Sequence, residues 1–121
     1  MDKKKLKEIL DPLTYEVTQE QGTEPPHSHP YNEEWREGIY VDIITGEALF
    51  SSKDKFDALC GWPSFTQPID EDTSIKEVED RSLTPRIRTE VRTENNHLGH
   101  VFEDGPKDRG GLRYCINGVS I

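Results

Sequence analysis

The chain has 121 residues, 31% of them hydrophobic and 32% charged, with 24 acids against 15 bases and a net charge of −9. That length sets one domain over residues 1–121, and the negative balance disfavours nucleic acid and anionic membrane as partners, because both repel it. No apolar run approaches a membrane span and no basic-then-apolar leader precedes a cleavage site, so the expected address is cytoplasmic. So polar a composition leans toward disorder, but two Trp, four Tyr and four Phe supply a small core. Two cysteines in such a chain point to redox or catalytic thiols rather than a structural disulfide.

Leu6, Ile9, Leu10 and Leu13 recur at helical spacing, which predicts a short amphipathic helix over 3–11 that stops near Pro12. Tyr15 and Val17 then alternate with polar neighbours, and 22–31 reads as a Pro/His-rich loop. Ile39, Val41 and Ile43 alternate with Tyr40, Asp42 and Ile44 as a strand; Thr45-Gly46 is its turn and 48–51 the hairpin partner. Residues 52–68 read as an irregular loop anchored by Phe56, Trp62 and Phe65, and 69–81 as a solvated acidic connection. Ile87, Thr89 and Val91 alternate with Arg86, Arg88, Glu90 and Arg92 as a half-buried strand. A second short apolar run follows at 98–103, then a turn-rich stretch at 104–111 and a last alternating strand at 112–116. The fold class is therefore mainly β and antiparallel, with one N-terminal helix.

The last strand carries the most chemistry. Its period of two sends Leu112, Tyr114 and Ile116 to the core face, and Arg113, Cys115 and Asn117 to the other. A neighbouring guanidinium favours the thiolate, which is the nucleophilic form of cysteine; the plain alternative is a small filler residue beside a solvated arginine. His97 and His100 would point to opposite faces of a regular strand, so their convergence needs a bend, which Gly99 permits. Converging imidazoles can donate protons near neutrality, and Asp104 can orient one of them. Alternatively, one histidine is a core residue and the other lies at the surface. Cys60, in Cys60-Gly61-Trp62-Pro63-Ser64-Phe65, can resolve an oxidised Cys115 as a disulfide. Trp62 and Phe65 can form an apolar wall beside it, or serve only as core anchors. Zinc has little support, since no Cys-x-x-Cys pair is present.

Cys60-Gly61-Trp62-Pro63-Ser64-Phe65, Arg88-Thr89-Glu90-Val91-Arg92, His97-Leu98-Gly99-His100-Val101-Phe102, Asp104-Gly105-Pro106 and Arg113-Tyr114-Cys115-Ile116-Asn117 together resemble the methionine-R-sulfoxide reductases. Residues 22–25 and 52–56 fit as well, so the resemblance runs from about Tyr15 to Asn117. It implies a small domain of two antiparallel sheets in a β-tent or barrel-like arrangement. It also implies reduction of methionine-R-sulfoxide in proteins and peptides. Cys115 takes the place of the cysteine that attacks the sulfoxide and becomes a sulfenic acid, and Cys60 that of the resolving cysteine, with thioredoxin as reductant. His97 and His100 match the residues that bind and protonate the sulfoxide oxygen, and Asp104, Arg113 and Asn117 those that position the thiol. Trp62 matches the indole that packs on the substrate methyl. No cofactor is implied.

Many relatives carry two Cys-x-x-Cys pairs for zinc; the matching positions read here as Asp42 with Thr45 and Val91 with Glu94, so a zinc-free member is expected. The stretch 82–85 departs from the family pattern, His27, Pro30 and Asn32 alter the expected pocket rim, and the C-terminal end after Asn117 reads as shortened. Three other readings use the same residues: a non-catalytic ligand-binding module around Trp62 and Phe65, a metal protein using His27, His29, His97 and His100, and a cysteine hydrolase built from Cys115, His100 and Asp104.

Overall fold

The structure is a computed structural model that describes residues 3–80 and 88–121; the 82–85 stretch, Arg81, Arg86 and Ile87 lie outside them. Two short helices come first, α1 (Lys3–Ile9) and α2 (Pro12–Gln19). The second replaces the expected alternation at 15–17. Asp11 caps it, its carboxylate accepting from the Thr14 amide at 2.8 Å and the Thr14 hydroxyl at 3.0 Å. Pro12 occupies the first turn, where a missing N–H costs nothing. Pro12 thus ends one helix by starting another. The break also disperses the predicted apolar stripe: Leu6 is buried, while Ile9 is 60% and Leu13 38% exposed. Thr14, Val17 and Thr18 supply the buried face of α2.

The remaining elements form two antiparallel sheets. β1 (Ile39–Val41) and β2 (Ala48–Ser51) make the expected hairpin. Its inward face is not the aliphatic one: Tyr40 and Asp42 are buried, whereas Ile39, Val41 and Ile43 are exposed. The second sheet has the order β3 (Lys55–Phe56), β4 (Ser64–Phe65), β8 (Arg113–Ile116), β7 (Asn96–Phe102), β6 (Arg88–Thr93), β5 (Lys76–Asp80). Among the described residues this sheet is open, with β3 and β5 at its edges and no closure into a barrel. β3, β4 and β5 are strands where irregular connections were expected. Two- and five-residue segments of polar character carry too little periodicity to be seen without their partners.

The core lies between the sheets. Phe65 stacks on Phe50 with ring centroids 4.5 Å apart and meets Tyr40 edge-on at 5.1 Å. Leu49, Val91, Leu98, Val101, Tyr114, Ile116 and Ile121 complete it. Because apolar residues are few, buried polar groups hold much of the framework. Lys55 is 7% exposed, and its ammonium donates to the Tyr31 and Glu34 carbonyls and the Tyr40 hydroxyl, with the Trp35 ring 4.7 Å away. That one side chain anchors the loop before β1.

Asp42 joins the two sheets. It is 1% exposed and accepts from the Ile44 amide at 2.8 Å, the Thr93 hydroxyl at 3.0 Å and the Asn96 amide at 3.0 Å. The residues that meet the Asp42 turn from the β6–β7 turn are thus Thr93 and Asn96. Val91 instead lies in the core and Glu94 is exposed, which corrects the pairing of positions expected from the family pattern. Asp42→Ala would leave several buried donors unsatisfied, each costing about 1–3 kcal/mol. The expected result is a loss of about 3 kcal/mol or more in urea unfolding, and an unchanged midpoint would show that this node is not what holds the turns together.

Candidate active site

The β7–β8 ladder places the reactive groups. Its register sets His100 opposite Cys115 and Phe102 opposite Arg113, so four chemistry-bearing side chains share one face of two adjacent strands. Tyr114 and Ile116 point into the core from the other face, as the alternation predicted. The two backbones run so close that a Cβ on Gly99 would sit 2.0 Å from the Cys115 carbonyl oxygen. Gly99 therefore serves close approach. The histidines converge through a bulge: Val91 pairs with Gly99 but Arg92 with His97, so Leu98 is an extra residue that breaks the alternation. The His97 and His100 rings end 5.5 Å apart.

On the other side of β8, Ser64 of β4 is the ladder partner of Cys115. The preceding loop brings Cys60 back over it, turning through left-handed backbone at Leu59 (φ 58°) and Gly61 (φ 90°). Cys60 Sγ lies 3.6 Å from Cys115 Sγ and 3.3 Å from the Ser64 hydroxyl. Both cysteines are free thiols and both are partly exposed.

A cleft of about 260 Å³ opens on this pair, lined by Thr23, Cys60, Trp62, Gly99, His100, Phe102, Arg113, Cys115 and Asn117. Of the residues expected from sequence, Cys60, Trp62, His100, Arg113, Cys115 and Asn117 are thus brought together. His97 is not on the cleft surface. It is 1% exposed, and its Nδ1 lies 2.6 Å from the Glu90 carboxylate. With the carboxylate accepting from Nδ1–H, the Nε2 is left as the acceptor nitrogen. Burial lowers the His97 pKa below the usual histidine value, against the opposing pull of Glu90.

Phe65 is also absent from the cleft. It is 0% exposed in the core, because it follows Ser64 on a strand and so faces away from Cys115. Phe102 provides the second aromatic wall instead. The alternation from His100 to Phe102 carried that signal, but only the β7–β8 register turns it into a pocket wall.

Asp104 does not reach a histidine. Its carboxylate receives two hydrogen bonds from Arg113, at 2.8 and 3.2 Å, and this pairing is the main reason that its pKa is held down and that of Arg113 raised. Arg113 lies over the Phe102 ring, its Cζ 4.4 Å from the centroid, so the guanidinium is fixed beside the thiols. The hydrolase reading, which required Asp104 to orient His100, loses its third member. Glu90 orients the His97 imidazole; the sequence carried it as a polar position of a half-buried strand and within the 88–92 motif, without that partner.

Asn117 is 3% exposed and acts in the frame: its amide donates to the Leu98 carbonyl at 2.9 Å and its carbonyl oxygen accepts from the Glu24 amide at 3.0 Å. The Glu24 carbonyl in turn accepts from the Trp62 indole at 2.9 Å, and the Glu24 carboxylate from the Val119 amide at 3.0 Å. One chain of hydrogen bonds thus ties the 22–25 segment, the indole wall and the end of β8 together. His29 accepts from the Tyr31 amide and packs on its ring at 4.6 Å, and no group of three His, Cys, Asp or Glu side chains among the described residues is arranged to hold a metal.

Two adjacent sulfurs, an imidazole opposite one of them and a fixed guanidinium define a thiol oxidoreductase site on a small antiparallel β domain. Residues 10–121 match the SelR domain, and the chain belongs to that family, the methionine-R-sulfoxide reductases. Its activity class is peptide-methionine (R)-S-oxide reductase, an oxidoreductase acting on oxidised protein and peptide substrates.

The two thiols ionise as a unit. A hydrogen bond from Cys115, reinforced by the Ser64 hydroxyl and the charge of Arg113, brings Cys60 down to about 5. Cys115 is pushed well above the usual thiol range, first by that same hydrogen bond and then by burial. The resting pair therefore carries one thiolate, on Cys60. Cys60 lies below its unfolded value, so its contribution to stability is present above the ordinary thiol pKa and is lost as pH falls toward 5. Cys115 lies above its unfolded value and withdraws stability as pH rises past it. Ultraviolet titration of the thiolate is expected to show one group with a midpoint near 5, absent from Cys60→Ser. A wild type with no thiolate below pH 7 would contradict this assignment.

Proposed function

We propose that the chain reduces methionine-R-sulfoxide through a sulfenic acid on Cys115 that Cys60 resolves to a disulfide, and that thioredoxin restores the dithiol. The observation that carries this reading is the 3.6 Å separation of the two sulfurs at the floor of a cleft walled by Trp62 and Phe102. The apolar methyl and side chain of the substrate lie against those rings, which places the sulfoxide sulfur over Cys115 and its oxygen toward His100. A shaped wall of this kind selects one epimer, because the two epimers exchange the positions of methyl and oxygen.

The first step moves three groups. Cys115 attacks the sulfoxide sulfur while its proton passes to the Cys60 thiolate, and the oxygen is protonated, with His100 as the acid. Methionine leaves with two more electrons, and the oxygen ends on Cys115 as a sulfenic acid. In the second step Cys60 attacks the Cys115 sulfur, an S–S bond of about 2.05 Å replaces the S–O bond, and the hydroxyl leaves as water with the Cys60 proton. The sum is one sulfoxide and two thiols converted to one thioether, one disulfide and one water. Arg113 stabilises the thiolate on either sulfur, and Asp104 keeps it in place. His97, held by Glu90, positions the ring of His100 from behind.

Separated R and S epimers of a blocked methionine sulfoxide, with dithiothreitol, test the reading directly. Turnover of the R epimer alone, lost in Cys115→Ser, is the expected outcome; full activity in that variant would end the mechanism. Cys60→Ser is expected to complete one turnover per molecule and to depend on a small thiol for recycling. Equal thioredoxin-driven turnover in Cys60→Ser would instead show that resolution bypasses this residue.

A further inference from the structure

We infer that Ser64 is the positioning residue of the resolution step: its buried hydroxyl, 3.3 Å from Cys60 Sγ, is the switchable donor that holds the Cys60 sulfur as a nucleophile against the oxidised Cys115. This inference rests on the sulfenic acid reading above. Ser64 is 1% exposed and is the strand partner of Cys115, so its hydroxyl is fixed at the junction of the two sulfurs.

That hydroxyl has one proton and two acceptors within reach. One is the Trp62 carbonyl at 3.1 Å, the other Cys60 Sγ. The Cys60 thiol also reaches the Trp62 carbonyl, at 3.5 Å. When Cys60 is protonated it donates to that carbonyl; when it ionises, the carbonyl loses the thiol as donor and the sulfur gains lone pairs for the Ser64 O–H. The hydroxyl turns from one to the other through a single rotation about its own bond, with no movement of the backbone.

The switch matters most after the first half-reaction. In the resting pair the Cys115 thiol is the foremost donor to Cys60. Once Cys115 is a sulfenic acid, that S–H no longer exists, and Cys60 has just received a proton. The sulfenic hydroxyl is the leaving group, so Ser64 is the donor in contact with the sulfur that persists as the Cys60 proton leaves with that hydroxyl. Leu59 and Gly61, both in left-handed backbone, keep Cys60 beside it. Resolution in this enzyme is accordingly a local event, in which the sulfurs close from 3.6 Å while Ser64 turns.

The test is single-turnover reduction of blocked methionine-R-sulfoxide at neutral pH without reductant, following methionine, free thiols and dimedone-trapped sulfenic acid. Ser64→Ala is expected to release one methionine per molecule, as the wild type does, but to close its disulfide about tenfold more slowly, the factor for losing one hydrogen bond to a charged group. Sulfenic acid accumulates meanwhile, and the resting thiolate titrates at higher pH. Disulfide closure at the wild-type rate with an unmoved titration would overturn the inference. So would slow closure with an unmoved titration, because that is what a packing defect alone produces. Ser64→Thr, which keeps a hydroxyl, is expected to restore both the titration and the closure rate, and closure in Ser64→Thr as slow as in Ser64→Ala would refute the inference; if Ser64→Ala fails to fold, Ser64→Gly, which removes the same hydroxyl, is read in its place. Absence of any methionine burst in wild type would overturn the underlying reaction instead, which separates the two failures.

Discussion

The site depends on how closely β7 and β8 approach at Gly99. With the Cys115 carbonyl oxygen 2.0 Å from where a side chain would begin, any larger residue would force the strands apart. The approach fixes the register that sets His100 directly across from Cys115 and Phe102 across from Arg113. β8 lies between β7 and β4, so Cys115 has a neighbour on each side: His100 on one, Ser64 with Cys60 above it on the other. His100 and Cys60 thus flank the same sulfur from opposite sides, and rigid ladders rather than loops hold two of the three groups.

Electrostatics follow from the same placement. The chain carries a net charge of −9, yet the cleft holds an arginine pinned between a carboxylate and an aromatic ring. Anionic sulfur is favoured there while the surface as a whole repels anions. Only one proton is lost by the thiol pair at neutrality, because two thiolates 3.6 Å apart would repel strongly in a partly buried site. Behind them the Glu90–His97 pair is almost fully buried, and its hydrogen bond fixes the imidazole tautomer rather than adding net charge at the surface.

A polar chain with a small core relies on buried hydrogen-bonding residues as structural joints. Asp42 ties the hairpin of the small sheet to the β6–β7 turn, Lys55 anchors the loop before β1, and Asn117 with Glu24 ties the indole wall to the end of β8. Asp42, Lys55 and Asn117 bond to backbone or to neutral side chains, which spares a small domain the desolvation of extra ion pairs. Asn117 lines the cleft and Glu24 holds the indole of its wall, so framework and site share these bonds.

Much of this was legible from residue order. The alternation at 112–116 separates Tyr114 and Ile116 from Arg113 and Cys115 because a strand has no other way to place them. The hairpin at 39–51, the strand after 87 and the thiol pair follow from local patterns and from motif resemblance. The second helix was missed because Asp11-Pro12 reads as a stop until its capping bonds are seen, and either role suits the same dipeptide. What tertiary structure alone decided were the long-range pairings. These comprise the bulge at Leu98 that brings His97 beside His100, the capture of Asp104 by Arg113, the burial of Phe65, the entry of Phe102 and Ser64 into the site, and Glu90 as the partner of His97. Local sequence determines which face a side chain takes, but its neighbour on that face is set by strand register. Register is fixed by contacts between residues far apart in the chain.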